Sequence, residues 1–178
     1  MSLAHAILAS LIDKSCSGYD LAKQFDGSVG FFWQASHQQI YRELSKLNKL
    51  GWITSEIIIQ EGKPDKKNYR VTQEGTFQLK EWIAQTSEPA AIKDDLLVKI
   101  FSGYIVSEQV ILQELEHHRQ IHTEKLSTYR ELEKEYFQNP RQLTQAAKFQ
   151  YLTLRKGIRY EADWVEWCNE AIELLNEK

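Results

Sequence analysis

Gln38, Tyr41, Arg42, Ser45 and Lys49 are the residues of this 178-residue chain whose types and spacing promise chemistry. They recur three and four positions apart, so at about 100° per residue they share one face of a helix. Each can donate a hydrogen bond, and no acid stands among them, because Glu43 points back toward the apolar edge. A guanidinium such as Arg42 matches the acceptor edge of guanine, and an amide such as Gln38 matches adenine. Lys49, Lys63, Lys66 and Lys67 supply point charges that neutralise phosphates, which positions a protein without reading sequence. Tyr19 is assigned to the same surface. The competing reading is a solvated polar helix beside a charged surface hairpin.

The elements that must hold these residues are legible nearby. Ser36 and Gln39 form a capping-box pair, and Ile40, Leu44, Leu47 and Leu50 then recur at helical spacing until Gly51 ends the run. Trp52 to Gln60 is rich in strand formers, Glu61 to Asp65 has turn chemistry, and Asn68 to Thr72 returns as a second strand. Upstream, Leu3, Ile7, Leu8, Leu11 and Ile12 mark a first helix, and Ser17 caps a second from Tyr19 to about Phe25. Phe31, Phe32 and Trp33 read as core beneath the three helices, with ligand stacking as the rival reading. Thr72 caps a fourth helix to about Thr86. A capped helix with a donor-rich outer face, followed by a basic hairpin, is the layout of a winged helix-turn-helix, with the helix suited to the major groove and the hairpin to the phosphates.

The same stretch carries a resemblance. IYRELSKLNKLGWI, GKPDKKNY and VTQEG, in that order and spacing, resemble the signature of the PadR family of bacterial transcriptional regulators, and SGYDLAKQF is similar to that family's preceding helix. FFWQASHQQIY resembles its two-domain branch, with a C-terminal helical dimerisation domain. The resemblance is close over the first half of the chain and loose over the second. It implies a homodimeric regulator, acting by repression on a pseudo-palindromic operator, with phenolic acids as effectors of some relatives. Where the family pattern has an acid, this chain has Asn48 and Lys49, which implies a different contact at the end of the helix.

Composition bounds the rest. The net charge of −3 excludes a chain that is basic throughout, yet a nucleic-acid footprint can be local. The acidic excess lies in the second half: residues 1 to 85 hold 10 Lys and Arg against 9 Asp and Glu, and the remainder hold 12 against 16. Cys16 and Cys168 offer neither metal-ligand spacing nor a disulfide framework, and each reads as a small core residue, as suits a reducing cytosol. Leu3 to Ile12 lacks the basic start of a signal peptide, and no run approaches the roughly 20 apolar residues of a membrane span, so a soluble cytoplasmic protein is expected. Phosphate loops, nucleophile elbows and metalloprotease pairs are absent from the sequence, so no enzyme and no cofactor are expected.

Ser87-Glu88-Pro89 reads as a boundary, giving an N-terminal domain over 1 to 86 and a helical domain over 90 to 178. The expected fold is mainly α with a small β-hairpin wing. A short helix holds Leu96, Leu97, Ile100 and Phe101, Ser107 caps a long one to about Phe137, and the last spans about Leu143 to Glu177. On the long helix His118 and His122 share the stripe of Ile111, Leu115, Leu126 and Tyr129. Three readings stay open for them: hydrogen bonding within helix packing, a proton-sensitive contact, or a metal pair. The last helix shows two apolar stripes, one through Tyr151, Leu154 and Ile158, the other through Tyr160, Trp164, Trp167 and Ala171. One stripe suffices for one contact, so the second is assigned to a dimer interface. Its aromatics, with Phe31 to Trp33, also make a small aromatic acid a conceivable effector, whose carboxylate Arg155, Lys156 or Arg159 would meet. A winged-helix module that binds an acidic protein rather than DNA, and a metal or pH sensor, are the alternatives.

Overall fold

The computed structural model describes residues 3–27, 33, 35–59, 66–89 and 91–177. The chain divides into two compact units, Met1–Pro89 and Ala90–Lys178. Lys63, Phe31 and Phe32, singled out above, lie outside the described residues.

The first unit holds α1 (Leu3–Leu11), β1 (Cys16–Ser17), α2 (Gly18–Gly27), α3 (His37–Lys49), β2 (Ile53–Ile58), β3 (Lys66–Val71) and α4 (Gln73–Ala84). Its core is one cluster that joins Ile7, Leu8 and Leu11 of α1 to Leu21 and Phe25 of α2 and to Ile40, Leu44 and Leu47 of α3. The helical stripes read from the sequence are thus the buried faces, except at their ends, where Ile12 and Leu50 lie past α1 and α3 and are exposed. Gly51 ends α3 in the left-handed region, at φ 71°, where a side chain would be strained. The chain then turns directly into β2, with the Trp52 amide donating to the Leu47 carbonyl at 3.0 Å.

The sheet has three antiparallel strands in the order β1-β3-β2, rather than the two of a bare hairpin. β3 also begins at Lys66, two residues earlier than the sequence pattern indicated. β1 pairs Cys16 with Tyr69 and Ser17 with Asn68, so the short segment read as a break between helices is the edge that pins the wing to α2. Thr72 closes the unit. Its hydroxyl accepts from the Gly75 amide at 3.0 Å and donates to the Gly51 carbonyl at 2.7 Å, so one side chain caps α4 and ties it to the end of α3.

The second unit is helical: α5 (Asp95–Phe101), a 3-10 turn, α6 (Glu108–Tyr136), a second 3-10 turn, and α7 (Gln145–Asn176). Ser107 stands at the start of α6 but makes no side-chain capping bond, whereas Asp94 caps α5 by accepting from the Leu96 amide at 2.9 Å. α6 and α7 pack along much of their lengths, burying Ile111, Leu115, His122, Leu126 and Tyr129 from α6 and Ile158, Glu161 and Cys168 from α7. Among the described residues no helix is long and apolar enough to cross a membrane.

Candidate nucleic-acid interface

α3 owes its rigidity to its ends. Ser36 Oγ accepts from the Gln39 amide at 3.3 Å while Gln39 Oε1 accepts from the Ser36 amide at 2.8 Å, so both halves of the capping box form. Ile40, Leu44 and Leu47 anchor one face in the core. The opposite face carries Gln38, Tyr41, Arg42, Ser45 and Lys49, all exposed. Glu43, the acid within this helix, is mostly covered and accepts from Lys46 at 3.4 Å, so it contributes no carboxylate to the outer face.

The wing differs from its sequence-based picture in detail. Lys67 is exposed, with its Nζ 5.6 Å from the centroid of the Tyr69 ring. Tyr69 itself is buried, and burial, with Tyr41 adding, raises its phenol above the ordinary value. Lys66 is not a free cation: its Nζ lies 2.6 Å from Asp20 Oδ2. Asp20 also accepts from the Ser17 hydroxyl at 2.8 Å, and its amide donates back to that oxygen at 3.1 Å. Arg70, on β3 beside Tyr69, is exposed. Tyr19 projects from the start of α2 and is 65% exposed.

Asp20 is the functional candidate that the sequence reading missed. The signal was present: Ser17 followed three residues later by an acid is a capping-box spacing. The partner was not visible, because Lys66 reaches Asp20 through the β1–β3 pairing.

In the second unit the two histidines have separate fates. His122 Nδ1 lies 2.5 Å from Glu161 Oε2, both side chains being buried, and the imidazole stacks on Trp164 with centroids 4.7 Å apart and planes 2° from parallel. The ring nitrogen and the carboxyl oxygen are within hydrogen-bond distance of one another. His118 stacks more loosely, 6.1 Å from Trp164, and burial lowers its basicity, partly offset by Glu114. Among the described residues no group of three or more His, Cys, Asp or Glu is placed to hold a metal ion. His122 thus takes part in the helix packing, with Glu161 as its hydrogen-bond partner.

The last helix takes part in the same packing. Trp164, Trp167 and Ala171, expected to face a second subunit, pack half-buried against the cluster of Ile111, Leu115 and Cys168 in their own chain. Tyr160 remains 51% exposed. Arg155, one of three candidates for a ligand carboxylate, is bonded to Glu133 at 2.9 Å, and Tyr151 donates to the same oxygen at 2.9 Å. Lys156 and Arg159 are exposed.

Residues 7–81 match the model of the transcriptional regulator PadR-like family, and residues 92–176 match that of the virulence activator alpha C-terminal domain. A probable transcriptional regulator of Mycobacterium tuberculosis is 39% identical over the full length of both chains. The chain belongs to the PadR-like family of transcriptional regulators. Family members are regulators and not enzymes. The fold agrees over nearly the whole length of this PadR-like chain. Bacillus subtilis PadR in complex with operator DNA superposes with a TM-score of 0.84 at 30% identity, covering 98% of this chain and 99% of that one. The same protein in complex with p-coumaric acid gives 0.76 at 27% identity, covering 99% and 96%. The Vibrio cholerae virulence activator AphA gives 0.79 at 32% identity, covering 98% of each. The winged helix-turn-helix with a helical C-terminal domain is thus the fold of this chain.

Proposed function

We propose that this chain is a cytoplasmic, sequence-specific repressor that binds a pseudo-palindromic operator as a homodimer. The observation that carries the proposal is the exposed, acid-free face of α3, held by a complete capping box and an apolar anchor. In this reading Arg42 and Gln38 contact bases in the major groove, with Tyr41, Ser45 and Tyr19 beside them. Lys49, Lys63, Lys66 and Lys67 contact phosphates. Support for DNA as the target comes from the operator complex of the Bacillus subtilis relative, and support for repression from that protein's description as a negative regulator.

The dimer is proposed from the second unit. Phe101, Tyr104 and Ile105 are 89%, 88% and 72% exposed, and Val98 and Val110 stand exposed close to them in sequence. Exposed apolar residues grouped in this way mark an interaction surface. We place a second copy of the chain there and against Tyr160, Trp164, Trp167 and Ala171, the last three being only half-buried within their own chain. Two reading helices would then engage half-sites about one helical turn apart. A small aromatic acid is the proposed effector, supported by the p-coumaric acid complex of the same relative. Such a ligand releases DNA only if it binds the low-affinity conformation better than the high-affinity one.

The test compares operator with random duplex. Arg42→Ala should lose about 1–3 kcal/mol on the operator and little on random sequence, as expected for a lost base contact. Lys67→Ala should weaken both equally and flatten the salt dependence by about one phosphate. Equal losses for Arg42→Ala on the two duplexes would defeat the assignment of α3 as the reading helix. A protein that binds an acidic polypeptide but no duplex would favour the protein-contact alternative.

A further inference from the structure

Lys66 sits at the start of the wing strand, where the functional reading wants a cation for phosphate. Yet its ammonium is 2.6 Å from Asp20, and the two side chains keep 37% and 41% of their surface exposed. The acid is itself fixed. Ser17 donates to it at 2.8 Å, and Asp20 stands in the first turn of α2, where a helix favours negative charge. The Lys66 ammonium, as the largest influence, and the Ser17 hydroxyl hold its carboxyl below the usual range, so it is ionised at neutral pH. Ser17 is buried and belongs to β1, which pairs with β3 through Ser17 and Asn68. The pair is thus built from three elements that converge, rather than from two side chains that meet on a surface.

A carboxylate this close cancels most of the field that a phosphate would feel. It also stands exposed beside the ammonium, so an approaching phosphate meets both charges. We infer that Asp20 is a positioning residue that restrains the wing: it holds Lys66 as its own counter-ion and so limits the sequence-independent affinity of the protein for duplex DNA. The inference rests on the DNA-binding reading proposed above. Phosphate must displace Asp20 from Lys66, so Lys66 contributes less to binding than its exposed neighbour Lys67. Removing the carboxylate frees one more cation.

The experiment is a two-residue cycle read on a random-sequence duplex across a range of salt. Asp20→Asn keeps size and the bond from Ser17 but removes the charge. It should tighten binding about two- to five-fold, the span that exposed ion pairs contribute. The slope of log affinity against log salt should steepen by about 0.9, the contribution of one further phosphate contact. In a Lys66→Ala background the same change should give neither effect. Glu81→Gln, on α4 of the same unit and exposed, makes an equal change in net charge and should leave the slope alone. Circular dichroism and melting of each variant check the fold, and Asp20→Ser replaces Asp20→Asn if the latter melts early. A gain that persists without Lys66, or one matched by Glu81→Gln, would overturn the inference in favour of bulk charge. Unchanged or weaker binding by a folded Asp20 variant would overturn it in favour of a purely architectural pair. Failure of the wild-type protein to bind duplex would instead defeat the functional reading beneath it, and the inference with it.

Discussion

Glu161→Ala should destabilise the second unit by about 2–4 kcal/mol. Glu161 is 4% exposed and its Oε2 is hydrogen-bonded with His122 Nδ1 at 2.5 Å. A hydrogen bond to a charged group contributes about 1.5–3 kcal/mol net, and its loss strands a buried donor. Truncation also removes one buried methylene, worth about 0.8 kcal/mol. Glu161→Gln keeps the acceptor and the volume, and so should cost only about 1 kcal/mol, the difference between a charge-assisted and a neutral bond. The assay is urea unfolding of the full chain, followed by circular dichroism and by tryptophan fluorescence, since Trp164 stacks on the imidazole and reports the site directly. Two units need not unfold together, so the fluorescence of Trp164 should be isolated by replacing the other tryptophans with phenylalanine. A cost below about 1 kcal/mol for Glu161→Ala, or equal costs for the alanine and glutamine variants, would refute the claim that a buried charged bond fastens α6 to α7.

Three further outcomes follow from the first unit. Ser36→Ala removes half of the capping box and should cost about 1 kcal/mol in thermal unfolding, with a matching loss on the operator as the start of α3 frays. Gly75→Ala should destabilise by about 1–3 kcal/mol although alanine is the better helix former, because the added Cβ would meet the Trp52 carbonyl oxygen at 2.0 Å; a raised melting temperature would refute this. His5 stacks on Trp82 at 4.5 Å, and burial, followed by the nearby N-terminal charge, lowers its pKa below 6.5. Its neutral form is the one the fold prefers, so its contribution is complete above pH 6.5 and is lost as pH falls through the lowered folded value. Melting of the wild type should therefore drop over that range more steeply than melting of His5→Phe.

What the sequence disclosed was local. The start of α3 is written in Ser36 and Gln39, its buried face in Ile40, Leu44 and Leu47, and its end in Gly51, all within reach of one helix. The reading face follows once the buried face is known. β1 was hidden because two residues have no periodicity, and Cys16 and Ser17 become a strand only by pairing with Tyr69 and Asn68. The Asp20–Lys66 bond was hidden for the same reason. On α6 the buried stripe was legible, His122 included, since the apolar residues around it keep helical spacing. On α7 it was not. Glu161 is buried in the contact face, and an acid there interrupts the pattern that a search for apolar residues follows. Trp164 and Trp167 were read as a second surface, and the stacking of Trp164 on the His122 imidazole could not be seen from α7 alone.

The two units differ in how well each accounts for its own stability, and that difference bears on the proposed dimer. Among the described residues, the first has fourteen buried side chains in one cluster, drawn from all four helices and the sheet. The second is built on two long helices, and among its described residues Ile111, Leu115 and Cys168 form a small buried cluster bordered by half-covered side chains. A pair of helices has no third side, so each can hide only one stripe on the other. Apolar residues outside that stripe, Phe101, Tyr104 and Ile105 above all, remain in water unless something else covers them. If a second copy does so, folding of this unit and association are one equilibrium, and its apparent stability must rise with protein concentration. The first unit, with its own closed core, should melt at a temperature independent of concentration. DNA binding would then be lost on dilution while α3 and the wing remain folded. A helical unit that melts at the same temperature across a hundred-fold range of dilution would argue that the exposed aromatics serve another partner.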